Sequence, residues 1–239
     1  MKQGLTELIT ILDRSGSMGS IWPDAVGGLK QFVIDQKQLP GEALFTLLAF
    51  DTEHELVHDS VPLPKISENR LFGDHQIGPR GSTALLDAIG ITFNKVGERL
   101  ANTAEDQRPE KVMVAIITDG QENSSQEFTK VQIKEMVQRQ ERDYNWAIIY
   151  LGANVDAFDE AGGMGLSCDS ALNFGPTAKG IVGAFAACSA RAGLLRTAGI
   201  NAFRAEPLQK TAQELGIDMD TTKNKVKNAF KTKSPGPKA

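Results

Sequence analysis

Residues 9–18, ITILDRSGSM, pass from an apolar run to Asp13, Arg14, Ser15, Gly16 and Ser17 within two positions. Ser15 and Ser17 are two apart, so an extended backbone presents both hydroxyls to one side with Asp13 in register behind them. Farther along, Thr83 lies in GSTAL and Asp119 in IITDGQENSS. Two carboxylates and three hydroxyls, with no His or Cys among them, suit a hard cation, Mg²⁺ before Ca²⁺ or Zn²⁺. A second group could also bind metal. HELVH, residues 54–58, matches His-Glu-x-x-His.

The elements that must position these groups alternate along the chain. Apolar strands are expected to end at Asp13 and to cover 43–50, 111–118 and 146–151, with a short last one at 171–174. HELVHDSV (54–61) reads as an edge strand. Amphipathic helices follow from Pro23, stopped by Pro40-Gly41, from about Ser82, over 131–140, and finally over an Ala-rich segment near 181–195. Continuous apolar strands between helices imply an α/β fold. It is a doubly wound, mostly parallel central sheet with one antiparallel edge strand and helices on both faces. Ligands of such sheets bind outside the carboxyl ends of the strands, where strand order reverses. Asp13–Ser17, Asp51-Thr52, Asp119-Gly120 and Gly152–Asp156 all fall there. Asn154 and Asp156 read as helix caps.

Asp-x-Ser-x-Ser, a distant Thr and a strand-end Thr-Asp-Gly together resemble the metal-ion-dependent adhesion site (MIDAS) of von Willebrand factor A (VWA) domains. The resemblance covers residues 5–197 or so, and YLGANVDAFDEAGG resembles the single-domain, intracellular bacterial and phage members. It implies that Ser15, Ser17 and Thr83 ligate Mg²⁺ directly, with Mn²⁺ or Ca²⁺ as substitutes. Asp13 and Asp119 would act mostly through waters. With no carboxylate bound directly, the ion stays electrophilic toward an Asp or Glu of a partner protein. The implied function is a non-enzymatic, Mg²⁺-dependent protein-binding adaptor.

The alternatives are enzymes. HELVH serves a zinc metalloprotease only on a helix, where positions i and i+4 share a face. On a strand His54 and His58 stand about 13 Å apart at ~3.3 Å per residue. The metzincin continuation is also missing, with Val61 and Pro64 where Gly and His are needed; Glu68 and His75 remain as third ligands. A haloacid-dehalogenase-like phosphatase would use Asp13 but needs an acid where Ser15 stands. GGMG (162–165) lacks the phosphate-loop pattern and reads as a loop. Trp22, beside the metal loop, is placed near an interface or in the core.

Composition sets the remaining bounds. At 239 residues, 41% hydrophobic and 23% charged, the chain suits one globular domain with an appendage. Residues 1–198 are expected to form the domain and 199–239 a basic extension, partly helical or disordered. That extension holds eight Lys/Arg against four Asp/Glu, leaving the remainder at 18 against 26. An acidic body argues against nucleic acid as a partner, with weak contact left open to the basic tail. No apolar run reaches the ~20 residues of a membrane helix, and no signal peptide is read. Cys168 and Cys188 read as reduced thiols. The expected location is cytoplasmic, with no membrane partner.

Overall fold

The computed structural model describes residues 1–153 and 156–217. Six strands, β1 (Lys2–Asp13), β2 (Glu42–Phe50), β3 (His54–Pro62), β4 (Pro109–Thr118), β5 (Ala147–Gly152) and β6 (Ala171–Asn173), form one sheet. Its order is β3-β2-β1-β4-β5-β6, with only β3 antiparallel. Helices α1 (Trp22–Lys37), α2 (Leu85–Asn102), α3 (Lys130–Asp143), α4 (Ala157–Gly163), α5 (Ala178–Ala205) and α6 (Leu208–Glu214) cover both faces. This is the expected doubly wound α/β sheet with an antiparallel edge.

Two apolar layers explain the arrangement. Successive strand residues point to opposite faces. Leu8 and Leu12 of β1, with Met113, Ala115 and Ile117 of β4, pack under α1, α5 and α6. Ile9 and Ile11, with Val114 and Ile116, pack under α2, α3 and α4. Both faces of the central strands are therefore apolar, which is why those strands read as unbroken hydrophobic runs. α3 opens on a reciprocal cap between Thr129 and Gln132. The Thr177 hydroxyl accepts the Gly180 N–H at the start of α5.

Three differences from the sequence expectation have local causes. α2 begins at Leu85, because residues 78–84 are held as a loop by Arg80 N–H to Arg14 C=O (2.8 Å) and Ala84 N–H to Asp51 C=O (3.0 Å). Thr83 thus precedes the helix rather than opening it. α5 is far longer than expected, running to Ala205 across a kink at Gly199 (φ 85°), a left-handed conformation that glycine adopts without strain. By length and composition it could cross a membrane, but it is packed as a core helix against α1 and the sheet. Beyond the kink, Phe203, Leu208 and Ala212 join the main core. Residues 199–217, expected as part of the extension, pack on the domain, and the rest of that extension lies outside the described residues.

Candidate metal centre

Register brings the acids together. Asp13 at the end of β1 pairs with Phe50 of β2, and Leu12 pairs with Ile117 of β4. The three strands therefore end level, and the next residues, Asp51 and Asp119, flank Asp13 on either side. Strand order reverses about β1, so this is the crevice where open α/β sheets bind ligands.

Asp13 is fully buried and both its oxygens are engaged. Oδ1 accepts the Ser15 N–H at 2.6 Å, closing a tight turn, and Oδ2 accepts the Thr118 hydroxyl at 2.5 Å. Ser15 Oγ and Ser17 Oγ are 3.0 Å apart. Ser17 Oγ donates to Asp119 Oδ1 at 2.6 Å. Thr83 is buried on the loop before α2, with its N–H on Asn123 Oδ1 at 2.9 Å. A Cβ built on Gly120 would lie 3.1 Å from Thr83 Oγ1 and 3.5 Å from Ser17 Oγ. All five sequence-derived residues, Asp13, Ser15, Ser17, Thr83 and Asp119, thus lie on one edge, and Gly120 keeps the space between Ser17 and Thr83.

Electrostatics fit a cation. Burial pushes the Asp13 carboxyl up to about 6, against the hydrogen bonds of Thr118 and Ser15 that lower it, and Asp119 adds repulsion. Burial also raises Asp119, opposed by the Ser17 hydroxyl. A nearby cation would favour the ionised form of both. The hydroxyls and carboxylates are oxygen donors of the kind Mg²⁺ and Mn²⁺ take.

Sequence reasoning missed what holds these loops. Arg14, inside the Asp-x-Ser-x-Ser run, is 1% exposed and turned inward. Its Nε lies 2.9 Å from Asp51 Oδ2, an ion pair not aligned as a hydrogen bond, and Nη1 donates to Glu55 Oε2 at 2.6 Å. Asp51 Oδ2 also accepts Arg80 Nε at 2.8 Å, and Oδ1 accepts the Glu53 N–H. One carboxylate thereby ties the Ser15 loop to the Thr83 loop. A second set of bonds fastens residues 121–128 to the start of α2. The Leu86 N–H donates to Glu122 Oε2, the Asp87 N–H to Ser125 Oγ, and the Asp87 carboxylate accepts the Gln126, Glu127 and Phe128 N–H groups. The acid at a strand end pointed to Asp51; nothing local pointed to its two arginines.

The other motifs resolve differently. HELVH lies on the edge strand β3, not on a helix, so the zinc-protease geometry is absent. His58 Nε2 contacts the Leu71 carbonyl at 2.6 Å, and His75 Nδ1 contacts Glu55 Oε1 at 2.6 Å. Among the described residues no group of three or more His, Cys, Asp and Glu could hold a metal ion. Asp156 caps α4, accepting the Phe158 and Asp159 N–H groups, while Asn154 lies outside the described residues. Gly162 and Gly163 close α4 and carry no phosphate-loop geometry. Trp22 is half-buried and stacks on Phe72, ring centres 6.0 Å apart.

No family model and no curated protein matches the chain. Solved structures do. The von Willebrand factor domain of the type V pili tip protein Mfa5 from Porphyromonas gingivalis aligns with a TM-score of 0.57 at 10% identity, over 79% of this chain and 95% of that one. A von Willebrand factor type A protein from Catenulispora acidiphila aligns at 0.51 and 18% identity, over 79% and 42%. Manganese-loaded TRAP from Plasmodium vivax aligns at 0.52 and 14% identity, over 72% and 69%. The chain spans less than half the length of the Catenulispora chain and of the mussel byssus matrix protein that also matches. At these identities the likeness speaks for the architecture. The chain has the von Willebrand factor A fold.

Proposed function

We propose that the chain is a Mg²⁺-dependent protein-binding module. Ser15, Ser17 and Thr83 hold the ion directly, and Asp13 and Asp119 stand behind them through water. The observation that carries this reading is the convergence of the five side chains at the switch point, around the space that Gly120 leaves open. Octahedral Mg²⁺ takes six oxygens, so three hydroxyls and a few waters leave one replaceable position. An Asp or Glu of a partner fills it. Binding then needs no nucleophile and no general base, and the function is that of an adaptor rather than an enzyme. The manganese in the Plasmodium structure supports a divalent ion on this fold.

The module is further assigned to the cytoplasm. Cys168 is exposed and Cys188 buried, and the two are not joined to each other, which suits a reducing compartment. The partner is a protein rather than nucleic acid or membrane. Pull-down from host lysate with wild type and Thr83→Ala, each in Mg²⁺ and in EDTA, tests the reading. A protein retained only by wild type in Mg²⁺ is the expected result. Equal retention by Thr83→Ala in EDTA rules the reading out.

A further inference from the structure

At the opposite edge of the sheet, where β5 begins, a cavity of about 540 Å³ opens between α3, the Ser167–Ser170 turn and the far end of α5. That volume is in the range of small-molecule sites. Arg191 lines it from α5 and is 2% exposed. Its guanidinium has few partners. Nη2 donates to the Phe203 carbonyl, and the Phe203 ring covers the group at 4.0 Å. Nε and Nη1, both buried, have no hydrogen-bond partner.

The neighbouring arginines differ. Arg142 is spent on both oxygens of Asp143, and Arg204 donates to the Glu141 carbonyl and Asn145. Glu206 also lines the cavity, but its Oε1 takes the Thr211 hydroxyl and its Oε2 faces Lys210 at 3.9 Å. The cavity is therefore not a general basic patch, since Glu141, Asp169 and Glu206 share its wall. It holds one buried cation, Arg191, with two donor atoms unused and Glu206 as the acid whose charge acts on it. A buried guanidinium with orphaned N–H groups is costly to keep. Planar N–H donors on Arg match the two oxygens of a carboxylate or phosphate.

We infer that this cavity binds a small molecule through an oxyanion, a phosphate or a carboxylate, received by Arg191. The Gly199 kink is part of the site, because it folds Phe203 back over the guanidinium as its apolar wall. The site is independent of the metal edge.

Thermal unfolding of the full chain tests it, with 20 mM inorganic phosphate or 20 mM succinate against chloride at matched ionic strength. Phosphate also raises melting temperatures without binding, so the readout is the difference between variants. Arg191→Gln removes the charged fork. Ser167→Phe, at an exposed lining position, fills the cavity without touching Arg191. With a Kd on the order of 1 mM, one of the two anions raises the wild-type Tm by about 5 °C more than it raises either variant. Whichever anion acts identifies the oxyanion. A shift equal in all three proteins, or none with either anion in wild type, overturns the inference. If Arg191→Gln does not fold, Ser167→Phe alone decides.

Discussion

Two short motifs in this chain each promise a metal, and they end in opposite situations. Asp13-Arg14-Ser15-Gly16-Ser17 follows the central strand, with the ends of β2 and β4 level on either side. His54-Glu55-Leu56-Val57-His58 runs along the outermost strand, with one neighbour. The first gains an Asp because parallel register brings the end of β4 beside it, and a Thr because the loop at 78–84 is hydrogen-bonded to Arg14, Gly16 and Asp51. The second gains a backbone carbonyl for His58 and, for Glu55, the buried Arg14 and His75. Which polar groups a motif can gather therefore depends less on the motif than on which strand carries it. Glu55 even serves the other motif, as the second carboxylate on Arg14.

The largest effect falls on that shared support. Asp51→Ala leaves Arg14 buried with one carboxylate and Arg80 with Glu53 alone. Breaking a buried pair from one side costs about 4 kcal/mol. Chemical denaturation should show that loss at neutral pH. Burial alone would raise the Asp51 carboxyl, but Arg80, the Glu53 N–H and Arg14 outweigh it and hold it below its ordinary 3.8. Its contribution is then complete above about pH 4 and fades as acid takes the pH through the lowered value. Wild type and variant should converge there. A stable Asp51→Ala protein would mean that the two loops hold themselves.

Much of this was legible beforehand. Strands buried on both faces are apolar throughout, so β1, β2, β4 and β5 announced themselves, and the polar residue ending each run marked the edge. Asp13, Ser15 and Ser17 are local to one turn and readable as a unit. Asp119 was readable as a strand-end acid on the same edge and Thr83 as a hydroxyl near a helix start. Only the family resemblance joined them to the first turn as one ligand set, since no spacing rule links residues so far apart. The Asp51–Arg14–Arg80 clamp escaped because a buried arginine looks like a surface one in sequence. α6 and the last turns of α5 escaped because their apolar residues, Phe203, Leu208 and Ala212, are too sparse to show a period.

The metal side of the comparison breaks or holds next. Thr83→Ala and Asp119→Ala each remove one oxygen group from the proposed cage. About 100-fold weaker Mn²⁺ or Mg²⁺ binding is expected by calorimetry, with little change in unfolding. His54→Ala with His58→Ala should leave that affinity unchanged. If the histidine pair carries the metal instead, the two results exchange places.

A finer probe is Gly120→Ala. Gly120 has no positive φ, so the backbone accepts alanine. The added methyl meets Thr83 Oγ1 at 3.1 Å, closer than comfortable packing, and Ser17 Oγ at 3.5 Å. It adds no charge and removes no oxygen. About tenfold weaker metal binding, or ~1.4 kcal/mol, is expected with the fold intact. Unchanged affinity would show that the ion sits away from Gly120 and that Thr83 is not among its ligands.

The smallest effect belongs to the edge strand. His58 lies half-buried, its ring tilted over Phe45 at 6.0 Å and its Nε2 on the Leu71 carbonyl. Burial holds the imidazole below its ordinary value, against the Leu71 contact, and His75 adds repulsion. A depressed histidine favours the neutral ring, so its native environment is lost on acidification through the unfolded value of about 6.5. His58→Ala should cost about 1 kcal/mol at pH 8, the typical net worth of one hydrogen bond. Below pH 6 the cost should shrink, because wild type then pays to charge the ring. A histidine used for zinc would behave otherwise: its substitution would matter only with metal present, and chelator would erase the difference at every pH. The pH series with and without EDTA therefore separates a packed histidine from a ligand, on the motif that the sequence kept only as the alternative metal site.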